Sequence, residues 1–216
     1  MVRASDGSLS LRERAKLDKN RRIRAAASQL LDEKPFDQIT TREVAERAGI
    51  GEATLFRYVA SKWDLLMLTY GDQMDALIDQ IEQDDVAAAT RSASSGQAYI
   101  DRINAIYRSR TNFYLKDPQN IALFQREGFR LESSVSSRSI GQGDRTIGMT
   151  TGILAEGQRS GLLMSEVDPH LVAQNCHGIY MHEIDRTPVR GYSPDTVWER
   201  TRARLAVQLK PLMINH

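Results

Sequence analysis

Between Thr40 and Lys62 the chain reads TTREVAERAGIGEATLFRYVASK, and this run holds the residues whose types and spacing could do chemistry. Hydroxyls at Thr41, Thr54 and Tyr58, cations at Arg42, Arg57 and Lys62, and the carboxylate of Glu52 are interleaved with Val44, Ala45, Ala48, Ile50, Leu55 and Val59, which suit a small apolar core. Those polar residues, with Ala53 and Phe56, are free of core duty. They are donors, acceptors and apolar tips of the kinds that grip phosphate oxygens and the edges of nucleobases. Reaction chemistry is not suggested. The chain contains no G-x-S-x-G, no Walker A loop and no G-x-G-x-x-G, since Gly141-x-Gly143 is followed by a glycine only at Gly148. His182-Glu183 lacks the second histidine of a zinc-protease motif, and His177 and His182 are spaced poorly for two ligands on one helix face. We therefore expect no enzyme, no cofactor and no metal.

Short helices must position these groups. Thr40 and Glu43 form a capping box for a helix reaching about Ala48, where Gly49 can take the positive φ that ends it. A third helix is expected from about Glu52 to Val59, with Ala45 small enough for the two to approach closely. Upstream, Ile23, Ala27, Leu30 and Leu31 predict a helix over about 18–34, stopped near Pro35. Downstream, Ser61 and Asp64 repeat the cap signature, and Leu65, Leu68, Met74, Leu77, Ile78 and Ile81 carry helical spacing to about 84. Residues 1–17 read as a flexible basic arm. Over 1–24, Arg3, Arg12, Arg14, Lys16, Lys19, Arg21, Arg22 and Arg24 face only Asp6, Glu13 and Asp18, a balance suited to a phosphate backbone.

The remainder reads as helix after helix, at about 97–116, 118–131, 144–160, 168–186 and 194–213. Connections are expected at Asp85–Gly96 and, as a Ser/Gly-rich loop, at Ser133–Gly143. Pro118, Pro169 and Pro194 stand just inside three of the starts. No run of period two appears, so the fold class is all-α. The 216 residues, 29 basic against 28 acidic, are enough for one or two cored domains. One cysteine excludes an internal disulfide or multi-thiolate zinc site and fits a reducing cytoplasmic setting. The longest apolar run, Leu65–Leu68, is far too short to cross a bilayer. Met1–Ser10 does not read as a secretory signal.

Residues 20–66 resemble the DNA-binding domain of the TetR family of transcriptional regulators. The resemblance rests on Thr40-Thr41, Ala45, Ala48-Gly49-Ile50, Thr54-Leu55-Phe56, Tyr58-Val59 and Ser61-Lys62. It implies a helix-turn-helix DNA-binding domain over 18–66. By that likeness Thr41, Thr54, Tyr58 and Lys62 match phosphate-holding positions, and Arg42, Glu52, Ala53 and Phe56 match positions that meet base edges. Chemically, Arg42 suits guanine O6/N7, Glu52 a cytosine amino group, and Ala53 or Phe56 a thymine methyl, while Arg57 suits either role. The run Gly51-Glu52-Ala53 departs from the family's common Ser-x-Gly/Pro, and Glu52 fits a solvated first-turn acid as well as a base contact.

The resemblance implies that residues 67–216 form a helical ligand-binding and dimerisation domain. The last two helices would build a dimer seam, with Val172, Ile179, Val197, Trp198, Leu205, Leu209 and Leu212 as candidates and intramolecular core as the alternative. A small-molecule pocket would draw on Tyr99, Ile103, Tyr107, Phe113, Phe124, Phe129, Met149, Ile153, His177 and Tyr180. The expected partners are a palindromic double-stranded DNA operator, a second copy of the chain and a small-molecule effector, with no membrane. The expected activity is repression relieved by that effector. The alternative is a helical protein-interaction module without sequence-specific DNA binding.

Overall fold

The structure, a computed structural model, describes residues 10–90, 95–127, 136–190 and 194–214. Its described elements are helices, and they fall into two compact units, Met1–Thr69 and Tyr70–His216.

The first unit contains α1 (Leu11–Glu33), α2 (Thr41–Arg47), α3 (Glu52–Leu55) and α4 (Trp63–Leu66). The expected start of α1 at 18 is corrected to Leu11, which shortens the arm. Ser10 and Glu13 close a capping box there: the Glu13 carboxylate accepts the Ser10 amide at 2.8 Å, and the Ser10 hydroxyl accepts the Glu13 amide at 3.3 Å. Apolar periodicity could not reveal this turn, because Leu11 is 83% exposed and the buried face begins only at Ile23. From there Ile23, Ala26, Ala27, Leu30 and Leu31 pack with Phe36, Ile39, Val44, Ala45, Leu55 and Val59, all buried. Burial of these side chains at roughly 1.5–3 kcal/mol each for the larger ones is what holds three such short helices. A 3₁₀ turn, Phe36–Gln38, sits between α1 and α2.

A π-helical stretch, Met67–Gly71, leads into α5 (Asp72–Ala89), which begins the second unit's helices α6 (Gly96–Tyr114), α7 (Pro118–Glu127), α8 (Ser136–Arg159), α9 (Pro169–Arg190) and α10 (Pro194–Leu209). The three prolines open α7, α9 and α10. Helix α8 packs on α5, α6 and α9, and α10 on α6 and α9. The loop expected over 133–143 is corrected: α8 already runs from Ser136 despite Gly141 and Gly143, because Arg138 and Arg145 tie it to α5. On α5, Asp72, Asp75, Asp79 and Glu82 line one face. Arg138 donates to Asp72 and Asp75, and Arg145 to Asp79 and Glu82 at 2.6–3.1 Å. Arg102 of α6 bridges Asp85 and Glu156 at 2.8 Å each. Between α9 and α10, the fully buried Glu183 carboxylate collects Arg190, Arg200 and Arg204 at 3.4, 3.0 and 2.8 Å. The chain then ends its helical path in a 3₁₀ turn, Lys210–Leu212, whose Leu212 carbonyl accepts the Met164 amide at 2.8 Å. That turn replaces the last residues of the helix expected to 213.

Candidate functional site

The helix-turn-helix is held by polar contacts at both ends of α2. Thr40 caps it: the Glu43 carboxylate accepts the Thr40 amide and hydroxyl at 2.9 Å, and Lys34 donates to Glu43 at 2.5 Å. Lys34 first, then the Thr40 groups, hold the Glu43 carboxyl down at about 2. At the other end Gly49 takes φ +64°, and a Cβ there would collide with the Arg22 guanidinium. Arg22 donates to the carbonyls of both Ala48 and Gly49, so α1 reaches across to cap α2. Sequence reasoning grouped Arg22 with the phosphate-directed arm; the structure gives it this capping contact, which no local pattern announces since the partners are 26 and 27 positions away. Helix α3 is shorter than expected, ending at Leu55, with Phe56 to Tyr58 continuing as tighter turns through Arg57 N–H to Thr54 and Tyr58 N–H to Leu55.

The nine candidate side chains fall into two groups. Arg42, Glu52, Ala53, Phe56 and Arg57 are exposed, with Phe56 at 51%. Thr41, Thr54, Tyr58 and Lys62 are half-buried. Several are already engaged. Thr41 donates to Glu52 at 2.7 Å, Arg42 to Glu46 at 3.0 Å, and Arg57 to Thr54 at 3.5 Å. Lys62 donates to the Asp37 carbonyl at 3.0 Å with its ammonium 4.5 Å from the Phe36 ring centroid, and burial there lowers its pKa. Asp64 accepts the amides of Ala60 and Ser61 at 2.6 and 2.9 Å, fixing the approach to α4. Phe56 presents an apolar ring to solvent.

In the second unit the expected pocket and the observed cavity differ. Of the ten candidates, Phe124 and His177 line a cavity of about 30 Å³, together with Met74, Arg110, Gln125, Ser139, Gln142, Gly143 and Met181. Tyr99, Ile103, Tyr107, Phe113 and Tyr180 are buried core. Met149 and Ile153 line a separate groove beside Asp85, Arg102 and Glu156. Phe129 lies outside the described residues. Arg110 was missed, though a signal existed: Ile103, Tyr107 and Arg110 follow helical spacing, which puts an arginine on an apolar stripe. Burial, then Arg110, pushes the His177 pKa down to about 3. Burial pushes the Cys176 thiol up to about 12.

The seam expectation also needs correction. Val172, Val197, Leu205, Leu209 and Leu212 are buried within one copy of the chain, where α9 and α10 pack on their neighbours, so they are core; Ile179 and Trp198 remain half-buried. Leu171, Val189 and Val207 are the large apolar side chains that these two helices leave exposed. Among the described residues no cluster of three or more metal-ligating side chains is assembled, and no helix is long and apolar enough to cross a membrane.

The family model for bacterial regulatory proteins of the tetR family matches residues 23–67, which span the capped turn and both of its helices. Residues 23–67 are thus matched as a TetR-family helix-turn-helix. It is 38% identical over 68 residues to the HTH-type transcriptional regulator YvkB of Bacillus subtilis, an alignment that covers 30% of this chain and 36% of that protein. It is 25% identical over 156 residues to the fatty acid metabolism regulator protein of the same organism, covering 71% of this chain and 75% of the relative. Its fold superposes on FadR from Bacillus subtilis, solved with stearoyl-CoA, at a TM-score of 0.64 and 19% identity, covering 85% of this chain and 96% of that one. FadR from Thermus thermophilus, solved with lauroyl-CoA, gives 0.65 at 18% identity, with 91% and 96% covered.

Proposed function

We propose that this chain is a TetR-family transcriptional repressor that binds a palindromic DNA operator as a homodimer and lets go when a small molecule enters its helical unit. The observation that carries the reading is the exposed set Arg42, Glu52, Ala53, Phe56 and Arg57 on the matched helix-turn-helix, beside half-buried Thr41, Thr54, Tyr58 and Lys62. Once Arg42 leaves Glu46 and Glu52 leaves Thr41, the first five can face a groove and the last four can reach phosphates. A dimer of two such modules would set the half-sites about 34–36 Å apart. Exposed Leu171, Val189 and Val207 on α9 and α10 offer apolar surface for a second copy. Release would follow if the effector binds one arrangement of the dimer more tightly than the other. That the FadR relatives were solved with stearoyl-CoA and lauroyl-CoA supports a small-molecule role for the corresponding helices here.

The test is selection from a random duplex pool at two salt concentrations. A palindromic consensus is expected, and Arg42→Ala should cost about 1–3 kcal/mol and relax one base pair of it. Lys62→Ala and Tyr58→Ala should weaken binding to all sequences alike, by roughly 1 kcal/mol. A pool that yields no consensus overturns the reading.

A further inference from the structure

Among the described residues, the arginines of the second unit that are at least half-buried are matched to carboxylates with one departure. Arg102, Arg138 and Arg145 each hold two, whereas Arg110, only 4% exposed, has none among the described residues. Its Nη1 donates to Thr146 Oγ1 at 2.8 Å, its guanidinium lies 5.1 Å from the Tyr180 ring centroid, and its Nε is without a partner. A guanidinium does not shed its proton in a protein, and a buried charge without a counter-charge is expensive. Among the described residues no carboxylate supplies the balancing charge, which leaves room for an anionic ligand.

The cavity against Arg110 is built to receive one. Beside the arginine Nε, it presents three more polar atoms with no partner, Ser139 Oγ, His177 Nδ1 and Gln125 Oε1, and an apolar wall from Met74, Phe124 and Met181. Arg110, Ser139 and His177 can each donate a hydrogen bond, three donors against the single acceptor of Gln125 Oε1. The imidazole is neutral at ordinary pH, so the site carries a single positive charge. A monoanion with two acceptor oxygens neutralises it; a phosphate dianion would leave buried negative charge. The space, about 30 Å³, takes a head group of one or two waters' size, and methionine side chains can yield to an attached alkyl chain.

We infer that the effector of the helical unit is a monocarboxylate with an apolar tail, its head group held by Arg110. This rests on the reading that the helical unit takes a small molecule, and it departs from a thioester ligand, whose carbonyl is uncharged. The experiment is thermal unfolding of the full chain with the straight-chain carboxylates from formate to decanoate, with octanol, octanoyl-CoA and inorganic phosphate alongside. At about 100 times its Kd a bound carboxylate should raise Tm by about 5 °C or more. Octanol, octanoyl-CoA and phosphate should raise it less than octanoate does. Arg110→Met should abolish the carboxylate response. Gln125→Glu, which places a carboxylate in the same cavity, should raise the ligand-free Tm and also abolish the response, so a poorly folding Arg110→Met leaves the question decided by Gln125→Glu. Silence from every carboxylate, octanol or octanoyl-CoA matching octanoate, or a response that survives the variants overturns the assignment. No DNA enters this measurement, so its failure leaves operator binding standing, and a failed operator selection leaves a carboxylate response standing.

Discussion

In the free chain Thr41 donates to Glu52 and Arg42 to Glu46, so each pair must open before its members can reach a phosphate or a base. For Arg42 the opening is cheap, because exposed i, i+4 ion pairs contribute only about 0.3–0.5 kcal/mol. Glu52 is different, since it brings a negative charge to a surface meant for DNA. Glu52→Gln separates its two roles. If Glu52 only solvates the first turn of α3, the variant should bind random duplex more tightly, with a steeper salt dependence measured by fluorescence anisotropy. If it reads cytosine, specific affinity should instead fall by about 1–3 kcal/mol at one base pair. At this scale the sequence was legible where the chemistry is local: the Thr40–Glu43 box and the positive φ of Gly49 follow from neighbouring residues alone. It was illegible for Arg22, whose acceptors belong to another helix, and for Arg110 it was legible only as an arginine on an apolar stripe, since its partners lie on other helices.

Helix types and order in the sequence reading match the structure, because amphipathic spacing and proline starts are properties of a single segment. Boundaries were lost where a helix is paid for by charge pairs or caps instead of an apolar face, as at the starts of α1 and α8. Five of the seam candidates fall on the core alternative for a related reason: an apolar stripe shows that a face is covered without saying by what. The α9–α10 contact illustrates how much one buried acid can organise. Glu183→Gln would leave Arg190, Arg200 and Arg204 facing one another around a neutral amide. Full burial of all three would push the loss toward the 3–5 kcal/mol seen on breaking buried pairs. Since these arginines keep 30–46% of their side-chain surface in water, about 2 kcal/mol is expected, read from urea unfolding.

Stability of the whole chain should carry the signature of one buried imidazole. His177 stays neutral in the folded chain down to about pH 3, but takes up a proton near 6.5 once unfolded. The unfolded chain therefore binds more protons across that window, and stability falls as pH drops from 6.5 toward 3. Arg110, the charged group facing the ring, keeps its charge throughout and reinforces the effect. Tm measured from pH 7 to 4 should fall less steeply for His177→Gln than for the natural chain; parallel curves would show that other groups dominate. The single cysteine has a practical consequence of a different kind. Cys176 is fully buried with its thiol held far from ionisation, so maleimide reagents should pass it by under native conditions. A second cysteine placed at exposed Ala53 or Val207 can then be labelled alone, giving fluorophore or spin-label reporters at chosen surfaces without first removing the native thiol.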